Sequence, residues 1–177
     1  MPNANELQQT NEHLARRIDA LEQIEAIKSL KYRYWRACDG KDPRTFRDCF
    51  VASGASIDYG RMGAFDDADP MAEIFTKVAL HTVDGKHVIF DMHHGMHPEI
   101  TLTGVGTAAG RWTLRFRQLN LLDRTEKLMT GEYDDEYRLE DGRWRMSKCH
   151  FTETWSMVRP LPADAVISEG TFAEVAR

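Results

Sequence analysis

From Gly131 to Lys148 the chain reads GEYDDEYRLEDGRWRMSK. Glu140-Asp141-Gly142 has the composition of a tight turn, and the residues before it alternate in polarity. Met129, Gly131, Tyr133, Asp135, Tyr137 and Leu139 share one face of a strand, and Leu128, Thr130, Glu132, Asp134, Glu136 and Arg138 share the other. The first face is mainly apolar and turns to a core, whereas the second is wet. A hairpin with one wet face belongs to an antiparallel sheet. Asp135 then lies between two tyrosines in a low-dielectric setting, where a carboxylate must be paired, hydrogen-bonded or protonated. Arg111 and Arg145 are the structural partners on offer. A role in binding a substrate is the alternative.

Working outward, period-two segments at 87–103, 107–121, 126–140 and 143–157 predict four long strands. Trp112, Leu114 and Phe116 alternate with Arg111, Thr113, Arg115 and Arg117, and a slip of phase toward Leu119 and Leu121 predicts a bulge. Upstream the period is helical. Leu7, Leu14, Ile18, Leu21, Ile24, Ile27, Leu30, Tyr34 and Cys38 recur at threes, fours and one seven. Asp19 followed by Glu22 has the form of a capping box, which predicts one helix ending near Ile18 and a second over 20–38. Gly40 stands at a C′ position, Asp42-Pro43 opens a short helix, and Asp69 caps a third over 70–80. Helices first and a meander after predict an α+β fold, with helices covering one face of a strongly curved antiparallel sheet. The divisions are an N-terminal helical arm over 1–19, one domain over 20–159 and a tail over 160–177.

The 177 residues suit one domain, and 42% hydrophobic with 29% charged is an ordinary globular composition. A formal net charge of -5 opposes a phosphate backbone, so nucleic acid is not an expected partner. The polar start carries no leader-like apolar run and no segment reaches the length of a membrane span, so a cytoplasmic location without membrane contact is expected. Cys38, Cys49 and Cys149 are widely spaced and suit buried free thiols.

Three of the seven histidines crowd into DMHHGMHPEI, residues 91–100. Strand alternation sends His87, Asp91, His93 and His97 to one side and His94 to the other, so no third metal ligand is fixed by spacing. His93 is therefore either a hydrogen-bonded structural residue or a base. Asp39 closes a helix, where the macrodipole disfavours a carboxylate by roughly 0.3–1 kcal/mol. It is either solvated beside Lys41 or held against a histidine, whose tautomer it would fix. Trp35, Trp112, Phe116, Tyr133, Tyr137 and Trp155, with His94 and Asp135, are candidates to line a site for an apolar ligand.

IEAIKSLKYRYWRACDGKD, HPEITLTGVGTAAGRW and GEYDDEYRLEDGRWRMSK together resemble the SnoaL-like branch of the nuclear-transport-factor-two-like superfamily. The resemblance covers roughly 20–157. It implies a cone-shaped, curved antiparallel or mixed sheet wrapped by N-terminal helices (a cystatin-like α+β barrel) around one apolar pocket. The pattern is nearest that of bile acid 7-alpha-dehydratase, whose tyrosine, aspartate and histidine fall on Tyr34, Asp39 and His93. It departs from that enzyme at Phe116, where an aspartate is expected, and at Glu153, where an arginine is. The resemblance implies a lyase or isomerase, dehydratase- or cyclase-like, acting without metal or organic cofactor on a small hydrophobic oxygenated ring compound such as a steroid, polyketide or aromatic catabolite. His93 is then the base, Asp39 its partner and Tyr34 a hydrogen-bond donor. Two other readings stay open, a hydrophobic-ligand binder without turnover and the small subunit of a ring-hydroxylating dioxygenase. The open face of such a sheet seeks burial, so a homodimer or homotrimer is expected.

Overall fold

The computed structural model describes residues 3–170. One helix, α1, runs without interruption over Ala4–Asp39, and the predicted break at Ile18 does not occur. The capping box sits at the true start instead, where Asn3 accepts from Glu6 N and Glu6 accepts from Asn3 N. Asp19 accepts from Gln23 Nε2 one turn on, so its carboxylate serves the helix surface rather than a cap. A local capping signal yields here to continuous helical bonding on both sides of it.

The corner after α1 also differs from expectation. Gly40 keeps φ -82°, and Lys41 takes the left-handed conformation at φ 58°. Asp42 then caps α2, Pro43–Asp48, with Pro43 in its first turn as predicted. β1 (Ser56–Asp58) and β2 (Ala64–Phe65) follow, and α3 spans Ala68–Ala79. Its cap is Asp67 rather than Asp69. A small hairpin of β3 (Thr82–Val83) and β4 (Lys86–His87) precedes the long strands β5 (Ile89–Gly104), β6 (Thr107–Asn120), β7 (Thr125–Glu140) and β8 (Arg143–Pro160). The turn between β7 and β8 is Asp141-Gly142, with φ 50° and 73°, the left-handed pair that a two-residue hairpin loop requires.

The six-stranded sheet has the order β2-β1-β8-β7-β6-β5. All its pairings are antiparallel except β1 with β8, so the sheet is mixed. β6 pairs with β7 without a slip from Thr107 to Asn120, contrary to the predicted bulge. The irregularities lie in the β5 pairing, between Met96 and Glu99 and between Leu102 and Gly104, and twice between β7 and β8. Bulges bend a sheet and increase its twist, which is how these strands curl around the helices.

The core fills the concave side. Ile27, Leu30, Tyr34, Trp35 and Cys38 of α1 meet Trp112, Leu114, Tyr133, Tyr137, Met146 and Cys149 of the sheet. Trp112 is fully buried; at about 200 Å² and about 25 cal/mol per Å², a tryptophan there contributes about 5 kcal/mol before entropy. Helix and sheet approach so closely at Gly95 that a Cβ there would stand 1.9 Å from the Trp35 ring. Only glycine fits. Among the described residues no helix is long and apolar enough to cross a membrane.

Candidate functional site

β5 is an edge strand, so alternate backbone groups along it have no strand partner. α1 ends beside that edge. Asp39, its last residue, accepts the His93 backbone N–H at 3.1 Å on Oδ1 and 3.0 Å on Oδ2. The His93 ring contributes a third contact, Nδ1 to Asp39 Oδ1 at 2.5 Å. These donors supply what the helix end withholds from a carboxylate. Because a carboxylate can only accept, Nδ1 carries the proton and Nε2 is left as the basic nitrogen. The His93 ring lies against Phe116, centroids 4.7 Å apart. The His93 side chain is 12% exposed and that of Asp39 30%, so the pair is sheltered but open to solvent.

Lys41 takes a different partner from the one weighed for it. Its ammonium donates to the free carbonyl of Ile89 on the same edge, at 2.6 Å. Burial lowers its pKa, against the raising pull of Asp91, Glu169 and Asp39. Asp91 accepts from Gln118 at 2.8 Å.

A second polar centre lies deeper. Asp135 is fully buried, and its partner is neither Arg111 nor Arg145 but Lys31 of α1, at 2.7 Å with both side chains at 0% exposure. Arg111 lies outside near Glu132, and Arg145 pairs with Asp48. Tyr137 donates to Asp135 Oδ2 at 2.8 Å, and Trp112 donates to the Tyr137 hydroxyl at 2.9 Å. Asp135 Oδ1 is buried with no hydrogen-bond partner. The Lys31 ammonium stands 3.7 Å from the Tyr133 ring centroid and 3.5 Å from Cys149 Sγ. Burial pulls the Lys31 pKa down, and the opposing pull of Asp135 and Cys149 leaves it above its ordinary value. Burial pushes the Cys149 thiol up to about 12, against the lowering influence of Lys31.

Tyr34 belongs to this deeper centre. Its hydroxyl is 2.7 Å from that of Tyr59, which reaches Cys149 Sγ at 3.6 Å. Burial raises the pKa of Tyr34, Tyr59, Tyr133 and Tyr137 well above the usual tyrosine range, which keeps them protonated hydrogen-bond donors.

The structure therefore brings Trp35, Trp112, Phe116, Tyr133, Asp135 and Tyr137 inside the cone. It does not bring His94 or Trp155 there. His94 is exposed on the outer face between Met92 and Met96, because alternation turns it away from His93. Trp155 is 50% exposed. The bulge between Glu153 and Trp155 shifts the alternation of β8 by one and turns Trp155 and Met157 outward. His97, at φ 53° in the bulge of β5, is also exposed. Lys31 is the residue that sequence reading missed; its signal was a lysine set among Ile27, Leu30, Tyr34 and Cys38 on the apolar face of the helix. Two cavities open outside the cone. One of about 790 Å³ lies between α2 and the β7–β8 turn, lined by Arg44, Arg47, Arg143, Arg145 and several acids, and one of about 500 Å³ lies beside Arg33 and Arg36.

Several solved structures share this architecture. A candidate scytalone dehydratase from Novosphingobium aromaticivorans superposes with a TM-score of 0.69 at 18% identity, over 84% of this chain and 97% of that one. The hexachlorocyclohexane dehydrochlorinase LinA-type3 from Novosphingobium barchaimii gives 0.69 at 15% identity, over 86% and 99%. A nuclear transport factor 2-like superfamily protein from Salmonella enterica gives 0.64 at 20% identity, over 84% and 96%. At such identities the likeness is one of fold. Residues 19–150 match the SnoaL-like domain family over most of the chain, from the second half of α1 through the middle of β8, and the chain belongs to that family.

Proposed function

We propose that the chain is a cofactor-independent lyase or isomerase that moves a proton on a small, hydrophobic, oxygenated ring compound. The observation that carries this reading is the Asp39–His93 contact at 2.5 Å, partly open to solvent on the edge of the sheet. His93 Nε2 takes a proton from a carbon made acidic by a neighbouring carbonyl or set beside a leaving group, and Asp39 stabilises the imidazolium that results. Loss of the leaving group completes an elimination, and return of the proton elsewhere completes an isomerisation. The Tyr34–Tyr59 hydroxyl pair supplies a hydrogen bond to the oxygen on which charge develops. Trp35, Trp112, Phe116, Tyr133 and Tyr137 form the aromatic wall.

The names of two structural neighbours, a scytalone dehydratase and a dehydrochlorinase, support elimination chemistry. The pattern Tyr34, Asp39, His93 supports it in the manner of bile acid 7-alpha-dehydratase. Phe116 packs at a tilt against His93 where that enzyme has an aspartate, and Glu153, which accepts from Ser156, stands in place of its arginine. A steroid acid is therefore not carried over as the substrate. A small-subunit role in a dioxygenase gives no reason for the Asp39–His93 contact.

The test is turnover in a screen of hydroxylated and halogenated ring compounds, with product analysis. His93→Ala and Asp39→Asn must each abolish most of it; full activity in both variants would sink the proposal. Thermal stabilisation by a compound that is never converted would instead mark a binding protein.

A further inference from the structure

The first part of α1 projects beyond the rest of the molecule. From Asn3 to Asp19 every residue is exposed, and the family match begins only at residue 19. Leu7, Leu14, Ile18 and Leu21 are 51%, 45%, 55% and 61% exposed. An unsupported helix of this length is marginal in water, and half-exposed leucines along it add no stability.

The apolar positions follow a heptad. Leu7, Leu14 and Leu21 occupy d, while Ala4, Asn11 and Ile18 occupy a. A β-branched residue at a with leucine at d favours two parallel strands, and a single asparagine at a fixes register by meeting its own copy across the seam. An antiparallel pairing would set Asn11 against a leucine position instead. Arg17 then falls at g and Glu22 at the following e, which face one another between parallel strands with opposite charge. At 100° per residue, the a/d seam points roughly 160° away from the side of α1 formed by Ile27, Leu30, Lys31, Tyr34, Trp35 and Cys38. Those residues are buried against the sheet, so each domain lies behind the seam and leaves it clear.

We propose that residues 4–22 pair with the same segment of a second copy of this chain as a short parallel two-stranded coiled coil. The full chain is then a dimer joined mainly by residues that precede the SnoaL-like match at 19–150. The outer sheet face, with exposed Met92, Met96, Trp155 and Met157, is the competing surface.

Sedimentation of the full chain over a wide concentration range tests this. Wild type associates to a dimer. Leu14→Asp raises the dissociation constant about tenfold or more while the melting of the domain is unchanged, since Leu14 lies in the exposed segment. Arg17→Glu weakens association, and Arg17→Glu with Glu22→Arg restores it. Leu7→Cys gives a disulfide-linked dimer on oxidation, because the two residues face each other only in a parallel pair; in an antiparallel one they stand roughly 18 Å apart. The native Cys38, Cys49 and Cys149 are buried and do not compete. A chain that stays monomeric overturns the proposal. So does association indifferent to Leu14→Asp, which would move the interface to the sheet face, or a Leu7→Cys dimer that does not cross-link.

Discussion

Lys31 and Asp39 stand on the same helix, and each reaches across to a group of opposite character on the sheet. Lys31 meets Asp135 with both side chains at 0% exposure, enclosed by Tyr133, Tyr34, Trp35 and Cys149. Asp39 meets His93 on the edge strand, where solvent still reaches both. The chemistry of the two pairs is similar and the surroundings are not. A sealed ion pair cannot exchange its proton with anything, and its main effect is on stability, because removing either partner strands a charge in the core. Side chains that are 12% and 30% exposed can still pass a proton to another molecule, and a pair that water reaches costs the fold less to lose than a sealed one.

That contrast can be broken at four points. Asp39→Asn or His93→Gln should lower kcat by about 10²–10⁴-fold, with the melting temperature nearly unchanged; steady-state kinetics on a turned-over compound checks the first and calorimetry the second. Lys31→Met should cost about 3–5 kcal/mol in urea unfolding, and adding Asp135→Asn should recover much of it, because the unpaired charge is then gone. An equal loss in the double variant would mean that shape, not charge, matters at that position.

The third point is alkaline stability. The Cys149 thiol rises from its ordinary 9.0 to about 12 in the fold, and Lys31 also lies above its ordinary 10.5. Both groups hold their protons more tightly folded than unfolded. Their contribution is therefore whole below pH 9, falls for Cys149 between 9 and about 12, and begins to fall for Lys31 above its ordinary 10.5. The decline reaches about 1.4 kcal/mol per pH unit for each titrating group. Cys149→Ala should flatten the first part of it, as followed by thermal melts between neutral pH and pH 11. The smallest effect is expected outside the cone. His94→Ala and Trp155→Ala should each leave stability within about 0.5 kcal/mol and turnover unaltered.

The alternation of Tyr133, Asp135 and Tyr137 made the inward face of β7 legible, and the opposite orientations of His93 and His94 followed from the same rule. What alternation cannot see is an extra residue in a strand. The bulge before Trp155 reverses the phase of β8, and its only local mark is a glycine on the facing strand, Gly131, where a Cβ would stand 2.4 Å from Thr152 O. The partner of Asp135 was hidden for another reason. Arg111 and Arg145 lie on nearby strands, whereas Lys31 comes from a helix whose angle on the sheet depends on packing at Gly95. Asp19 and Glu22 imitate a helix start because capping chemistry is local, and only the unbroken bonding around them decides otherwise.

The unbroken course of α1 has a mechanical consequence. Its 36 residues form one rod, roughly 54 Å long at 1.5 Å per residue, with Leu7 near one end and Asp39 at the other. Such a rod keeps angular memory. One residue inserted between Leu21 and Ile27 would leave every contact at either end intact in kind, yet turn the leucine line about 100° relative to the carboxylate. The spacing between the two ends is therefore a phase setting, fixed by residue count alone.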